Sequence, residues 1–138
     1  MSYEAWGDGD DDPFENAIEA GWLDPADLSK ALIDVMNERD RQHNEEGWTP
    51  EHDDQHDDFS LAKAASVYAA CASVGAADRA VMDQHGLRGA PAKLQELWPL
   101  SWDISWLKPT SRRRDLVKAA ALIIAEIERL DRAEAAKP

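Results

Sequence analysis

Apolar side chains recur at helical spacing in two long stretches of this chain, and no stretch alternates apolar with polar for a useful length. Leu28, Ala31, Leu32, Val35 and Met36 fall at i, i+3, i+4, i+7 and i+8, which is one apolar stripe along a helix. Asp24 before Pro25 supplies a capping side chain and then a residue suited to the first helical position, so the pattern predicts a helix over about 25–44. The second stretch lies near the end of the chain, where Leu116, Ala120, Ile123, Ile127 and Leu130 share one face. Ser111 is placed to cap it, giving a predicted helix over about 112–135. Residues 119–125 are apolar on every side, so this helix is expected at the centre of a bundle, with Glu128 and Arg132 paired at i, i+4 on its exposed end.

Shorter signals lie between these helices. Thr49-Pro50-Glu51 repeats the cap-plus-proline arrangement and opens a helical turn carrying His52, Asp53, Asp54 and His56. Ser60 is expected to cap an alanine-rich helix over 61–74, with Gly75 as its stop, and residues 76–85 read as a further short helix ended by Gly86. Arg88 to Pro91 reads as a loop. Trp98, Trp102 and Trp106 then follow at four-residue spacing between Pro99 and Pro109, which interrupts any long helix and predicts an irregular aromatic segment. Phe14 to Leu23 is expected to form a short helical turn ending near Gly21. The predicted fold is mainly α: a compact bundle of about four helices with an irregular Trp-rich segment before the last. Residues 1–24 are expected to be an acidic tail or short helical turn, and residues 25–138 a single helical domain.

Charge narrows the range of partners. The 138 residues carry a formal net charge of −13, and its distribution is uneven. Residues 1–60 hold nineteen Asp and Glu against three Lys and Arg, while the rest hold nine against twelve. Such a field disfavours direct nucleic acid binding and anionic lipid, and favours basic protein surfaces or cations. Residues 1–12 carry five acids and no basic side chain, the reverse of a signal peptide, and the apolar run from Ala119 to Ala125 is too short to span a bilayer. The single cysteine, Cys71, sits among Tyr68, Ala69, Ala70, Ala72 and Val74 and is expected to be a small buried hydrophobe. The expectation is a soluble cytoplasmic protein with no membrane contact.

Three constellations are candidates for chemistry. His52 and His56, four apart on a helical turn, share a face and offer two nitrogens to a divalent metal, with Glu126 as the third ligand. The plainer reading is that the acids complement the helix dipole and one histidine bonds locally. The second joins Trp48, Trp102, Trp106, Lys108, Arg112, Arg113 and Arg114: guanidinium groups at a helix N-terminus oppose the dipole unless an anion compensates, and indole rings supply stacking faces for a base. The plainer reading there is that the tryptophans are core and the arginines pair with the acidic first half. The third is a set of carboxylates, Glu38, Glu45, Glu46, Glu128 and Asp131, of the kind that binds magnesium in a phosphate-cleaving site; salt bridging on a solvated surface is its plainer reading. No serine, cysteine or glycine pattern supports a nucleophile or a phosphate loop.

The string Glu46-Gly47-Trp48-Thr49-Pro50-Glu51-His52-Asp53-Asp54 with His56, preceded by Glu38-Arg39 and Arg41-Gln42 and followed by Leu61-Ala62, Ala64-Ala65 and Tyr68-Ala69, resembles a family of small phage and prophage proteins. Trp98-Pro99, Trp106, Lys108-Pro109 and the run from Arg113 to Asp131 are similar to that family's closing segment, so the likeness spans roughly residues 38–132. It implies no particular activity. A looser likeness to helical nucleotide pyrophosphohydrolases of the MazG type rests on Glu128 and Asp131, without the opposing Glu-Glu-x-x-Glu helix, and a few residues after Gly47-Trp48 resemble the ryanodine-receptor-type domain.

Two functions follow as expectations. In the first, the histidine turn, the tryptophan segment and the start of the last helix converge on one pocket that binds a phosphorylated, nucleotide-like ligand, with or without a divalent metal and its hydrolysis. In the second, a non-enzymatic acidic interaction protein meets a basic host protein surface as a nucleic-acid mimic or inhibitor. Exposed tryptophans would equally suit a homo-oligomer.

Overall fold

The computed structural model describes residues 16, 19–21, 24–45, 47, 50–54 and 59–138. Trp48, His56 and most of the expected 14–23 turn lie outside them. The chain divides into two units, Met1–Ile33 and Asp34–Pro138. The described residues form helices α1 (Lys30–Asn44), α2 (Pro50–Asp53), α3 (Ser60–Ser73), α4 (Ala76–His85), α5 (Ala92–Glu96) and α6 (Arg112–Ala135), with single 3-10 turns at Pro25–Asp27, Gly86–Gly89 and Ile104–Trp106, and no strand among them. The fold is mainly α.

The core is built by α3 and α6. On α3, Leu61, Ala64, Ala65, Val67, Tyr68, Cys71 and Ala72 are buried, and on α6 Ala119, Ala121, Leu122 and Ala125. Alanine at the facing positions leaves room for two backbones to approach closely, and the larger Leu61, Met82, Leu107 and Leu122 fill the space around them. Cys71 is fully buried, as expected, and burial pushes its thiol up to about 11, with the Asp115 charge adding to the effect.

Local chemistry fixes most boundaries, with three corrections. Asp24 Oδ1 accepts from the Ala26 N–H at 2.9 Å, but the turn it opens is only Pro25–Asp27. The long helix begins after Ser29, whose hydroxyl accepts from the Leu32 N–H at 3.3 Å. Ser60 does not cap α3: it is the first helical residue, and the N-cap is Phe59 in the left-handed region at φ 67° with no side-chain cap bond. Gly75, expected to stop α3, is instead the extended N-cap of α4. Gly86 ends α4 at φ 62°, donating to the Met82 carbonyl. The expected loop from Arg88 to Pro91 overlaps the Gly86–Gly89 turn and leads into α5, and Gly89 lies so close to α4 that a Cβ would stand 2.6 Å from the Val81 carbonyl oxygen.

Two faces are reversed from expectation. On α1 the buried residues are Glu38 and Gln42, whereas Leu32 and Met36 of the expected core stripe are exposed. On α6 the expected stripe is the outer face: Leu116, Ile123, Ile127 and Leu130 are each about half exposed. The inner face carries the smaller side chains because α3 is itself built for close approach.

Candidate functional site

The tryptophan segment is aromatic core with one ring at its edge. Trp98 and Trp102 are buried, and Tyr68, Trp98 and Trp102 stack edge to face, with centroids 6.0 and 5.4 Å apart and planes at 80° and 81°. Trp106 continues the row at 6.0 Å and is 50% exposed. Tyr68 ties this segment to α3: its hydroxyl donates to the Trp106 carbonyl at 3.3 Å and accepts from the Lys108 N–H at 3.0 Å. The Lys118 ammonium donates to the Lys108 carbonyl at 2.8 Å and lies 5.5 Å from the centre of the Tyr68 ring. Burial holds Lys118 below the usual lysine range.

At the start of α6 the cap is the expected one, Ser111 Oγ accepting from the Arg114 N–H at 3.2 Å. The arginines that follow are engaged within the protein. Arg112 donates to the Val74 carbonyl at 3.0 Å, Arg113 pairs with Asp34 at 2.8 Å, and Arg114 pairs with Glu38. Glu38 is closed off from water and also accepts from Arg41 at 2.8 and 2.7 Å and from Gln42 at 3.1 Å. Burial alone would raise its carboxyl, but the Arg41 bonds and the Arg41 and Arg114 charges bring it below the ordinary carboxylate range. The anion that offsets the N-terminal dipole is therefore intramolecular. Asp115, fully buried in the first turn, accepts from the Thr110 N–H at 2.9 Å and from Arg79 at 2.8 Å.

The histidine turn lies at the other end of α6. Asp53 on α2 is fully buried and pairs with Arg39 at 3.2 Å; Arg39 also reaches Glu128, and Arg132 pairs with Asp54 at 2.7 Å. Burial raises the Asp53 carboxyl despite Arg39 and His52 beside it. Glu128 thus bonds to Arg39 on α1 and Arg132 to Asp54 beside α2, with the Glu128 charge also attracting Arg132. Arg114 and Glu128 are fourteen residues apart on one helix, roughly 21 Å at about 1.5 Å per residue. Between them on α1, Glu38 joins Arg114 and the adjacent Arg39 reaches Asp53 and Glu128, while Trp48 and His56, which the expected pocket also needs, lie outside the described residues.

Of the expected metal set, His56 lies outside the described residues, and no group of three or more His, Cys, Asp or Glu able to hold an ion occurs among the described residues. His52 Nδ1 lies 3.5 Å from Asp53, and Glu126 pairs with Arg129 one turn along α6. Two hollows lie among the described residues. One of about 440 Å³ is lined by Ala76, Arg79, Ala80, Asp83 and Arg112, and one of about 230 Å³ by Asp54, Arg129, Arg132, Ala133 and Ala136. Among the described residues, no helix is long and apolar enough to cross a membrane.

Spacing along the chain does not mark Asp115 and Arg79, or Asp53 and Arg39, as buried partners, nor Tyr68 as the tie to the tryptophan segment. The one available signal was Asp115 in the first turn of a capped helix, a position where an acid is favoured. No family model matches the chain, and neither a curated protein nor a solved structure is significantly similar to it.

Proposed function

We propose that this chain is a non-enzymatic acidic interaction protein that presents surface carboxylates to a basic face of a partner protein. The observation that carries the reading is where the cations go. Arg39, Arg41, Arg79, Arg113, Arg114 and Arg132 each pair with a carboxylate of the fold, and the formal charge of −13 remains. Exposed Asp40, Glu51, Asp78, Glu96 and Asp131 carry part of it, and the acid-rich first sixty residues carry most. Such a field speeds encounter with a basic surface and repels nucleic acid. The resemblance of residues 38–132 to small phage and prophage proteins belongs to the same proposal, the partner then being a protein of the bacterial host.

The test is retention of proteins by the immobilised chain at low and high ionic strength. Retained proteins should be basic, should be released as salt rises, and should be lost when Asp8, Asp10, Asp11 and Asp12 are neutralised. Equal retention at high salt overturns the proposal. Heat on titrating the chain with a nucleotide panel, with and without magnesium, would favour the nucleotide-binding reading instead.

A further inference from the structure

Among the described residues, the outer face of α6 carries a continuous row of exposed apolar side chains. Leu116, Ala120, Ile123, Ile127 and Leu130 recur at alternating four- and three-residue intervals, the spacing of a coiled-coil seam. Leu116, Ile123, Ile127 and Leu130 are 50%, 48%, 52% and 52% exposed, and Ile124 borders them at 37%. The helix is 24 residues long, so the seam runs for most of about 36 Å.

The charges at its two ends are opposite. Arg112 and Arg113 are exposed at the start, and Asp131 and Glu134 at the end, where Glu134 also pairs with Lys137 at 2.9 Å, with no exposed charge on the seam between them. Arg113 bonds to Asp34, yet a guanidinium has five N–H donors and its side chain is 56% exposed. Turned end for end, the seam offers apolar centre to apolar centre, base to acid and acid to base. We infer that this face pairs two copies of the chain, their α6 helices antiparallel about a two-fold axis near Ile123.

Charge selects the antiparallel arrangement. A parallel pair of α6 helices would set base on base and acid on acid. A two-fold axis also makes the contact close on itself, so association stops at two copies. A strip one helix wide covers on the order of 400 Å² on each copy, at the low end for specific interfaces, so the dimer is concentration-dependent.

Sedimentation equilibrium of the full chain tests this. Mass should rise with concentration toward twice the chain mass and no further. Ile123→Asp places like charges together at the axis and should weaken association by about 100-fold or more. Asp131→Arg with Glu134→Arg, far from the core, should weaken an antiparallel dimer about tenfold, with salt restoring part of the loss. Both variants should keep the wild-type circular dichroism. In a mixture of Leu116→Cys and Leu130→Cys chains, a short bismaleimide should join 116 to 130. A monomer at every concentration, undiminished association of Ile123→Asp, or crosslinking of 116 to 116 would each overturn the inference.

Discussion

Arg79 on α4 donates to Asp115 on α6 at 2.8 Å, with the carboxylate fully buried and the arginine 8% exposed. The same guanidinium donates to Asp83 at 2.9 Å and to the Cys71 carbonyl at 3.2 Å, so one side chain ties α3, α4 and α6 together. Asp115 in turn holds the Thr110 N–H, which fixes the chain's entry into α6. A buried pair of this kind contributes little beyond an apolar replacement, but removing one partner leaves the other charged and unsolvated.

Asp115→Ala should therefore destabilise the fold by about 3–5 kcal/mol, more than the cavity alone would cost. Arg79→Met should fall in the same range, because it strands Asp115. The double variant should lose markedly less than the sum of the two single losses, as coupled partners do. Urea denaturation of the four proteins measures this; strict additivity would show that the pair is not coupled.

Glu38 gives a pH signature. Its carboxyl is held below the ordinary value in the folded protein, mainly by the Arg41 bonds and by the Arg41 and Arg114 charges overcoming burial. A depressed carboxylate contributes stability above its unfolded pKa, near 4.5, and loses it as pH falls through the lower folded value. Asp53 has the opposite sign: raised by burial, it favours folding most below 3.8 and loses that contribution as pH rises through its folded pKa. Glu38→Gln should lower stability at neutral pH by about 2 kcal/mol and flatten the loss on acidification below about pH 4.5. Melting temperatures from pH 7 to pH 3 check both effects.

The legible parts of this fold are those set by neighbours in sequence. Ser111 and its helix, the stop at Gly86 and the prolines that break the tryptophan segment each act within a few residues, and all three hold. The orientation of α6 was not legible, because both faces are apolar. A stripe read from side-chain size picks Leu116, Ile123 and Ile127, whereas an alanine-rich neighbour takes the narrower face of Ala119, Leu122 and Ala125. Of the candidate site, the aromatic row was visible as a cluster, but its depth was not. The distant partners of Glu38 and Asp115, Arg114 and Arg79, lie 76 and 36 residues away, beyond what any local pattern encodes.

Tyr68→Phe isolates the joint between α3 and the aromatic segment. The ring keeps its place against Trp98, while the Trp106 carbonyl and the Lys108 N–H both lose the hydroxyl. The expected cost is about 1–2 kcal/mol. Tryptophan emission should shift to the red, because Trp106 is already half exposed and is released first. An unchanged stability would show that these bonds are replaced by water without loss.

Gly89→Ala probes a close approach of the Gly86–Gly89 turn to α4. A Cβ at Gly89 would meet the Val81 carbonyl oxygen at 2.6 Å, its carbon at 2.8 Å and the Val81 Cγ1 at 2.9 Å. Two of the three atoms belong to the backbone of α4, so the strain cannot be relieved by rotating a side chain. Relief requires the Gly86–Gly89 turn to move away from α4, which opens the space beside buried Met82 and Ala90. Overpacking of this kind costs about 1–3 kcal/mol. The loss should appear as faster hydrogen exchange confined to the C-terminal half of α4 and the following turn, with α3 and α6 protected as before. Exchange that rises equally in α6 would mean that this turn and the α3–α6 core open as a single unit.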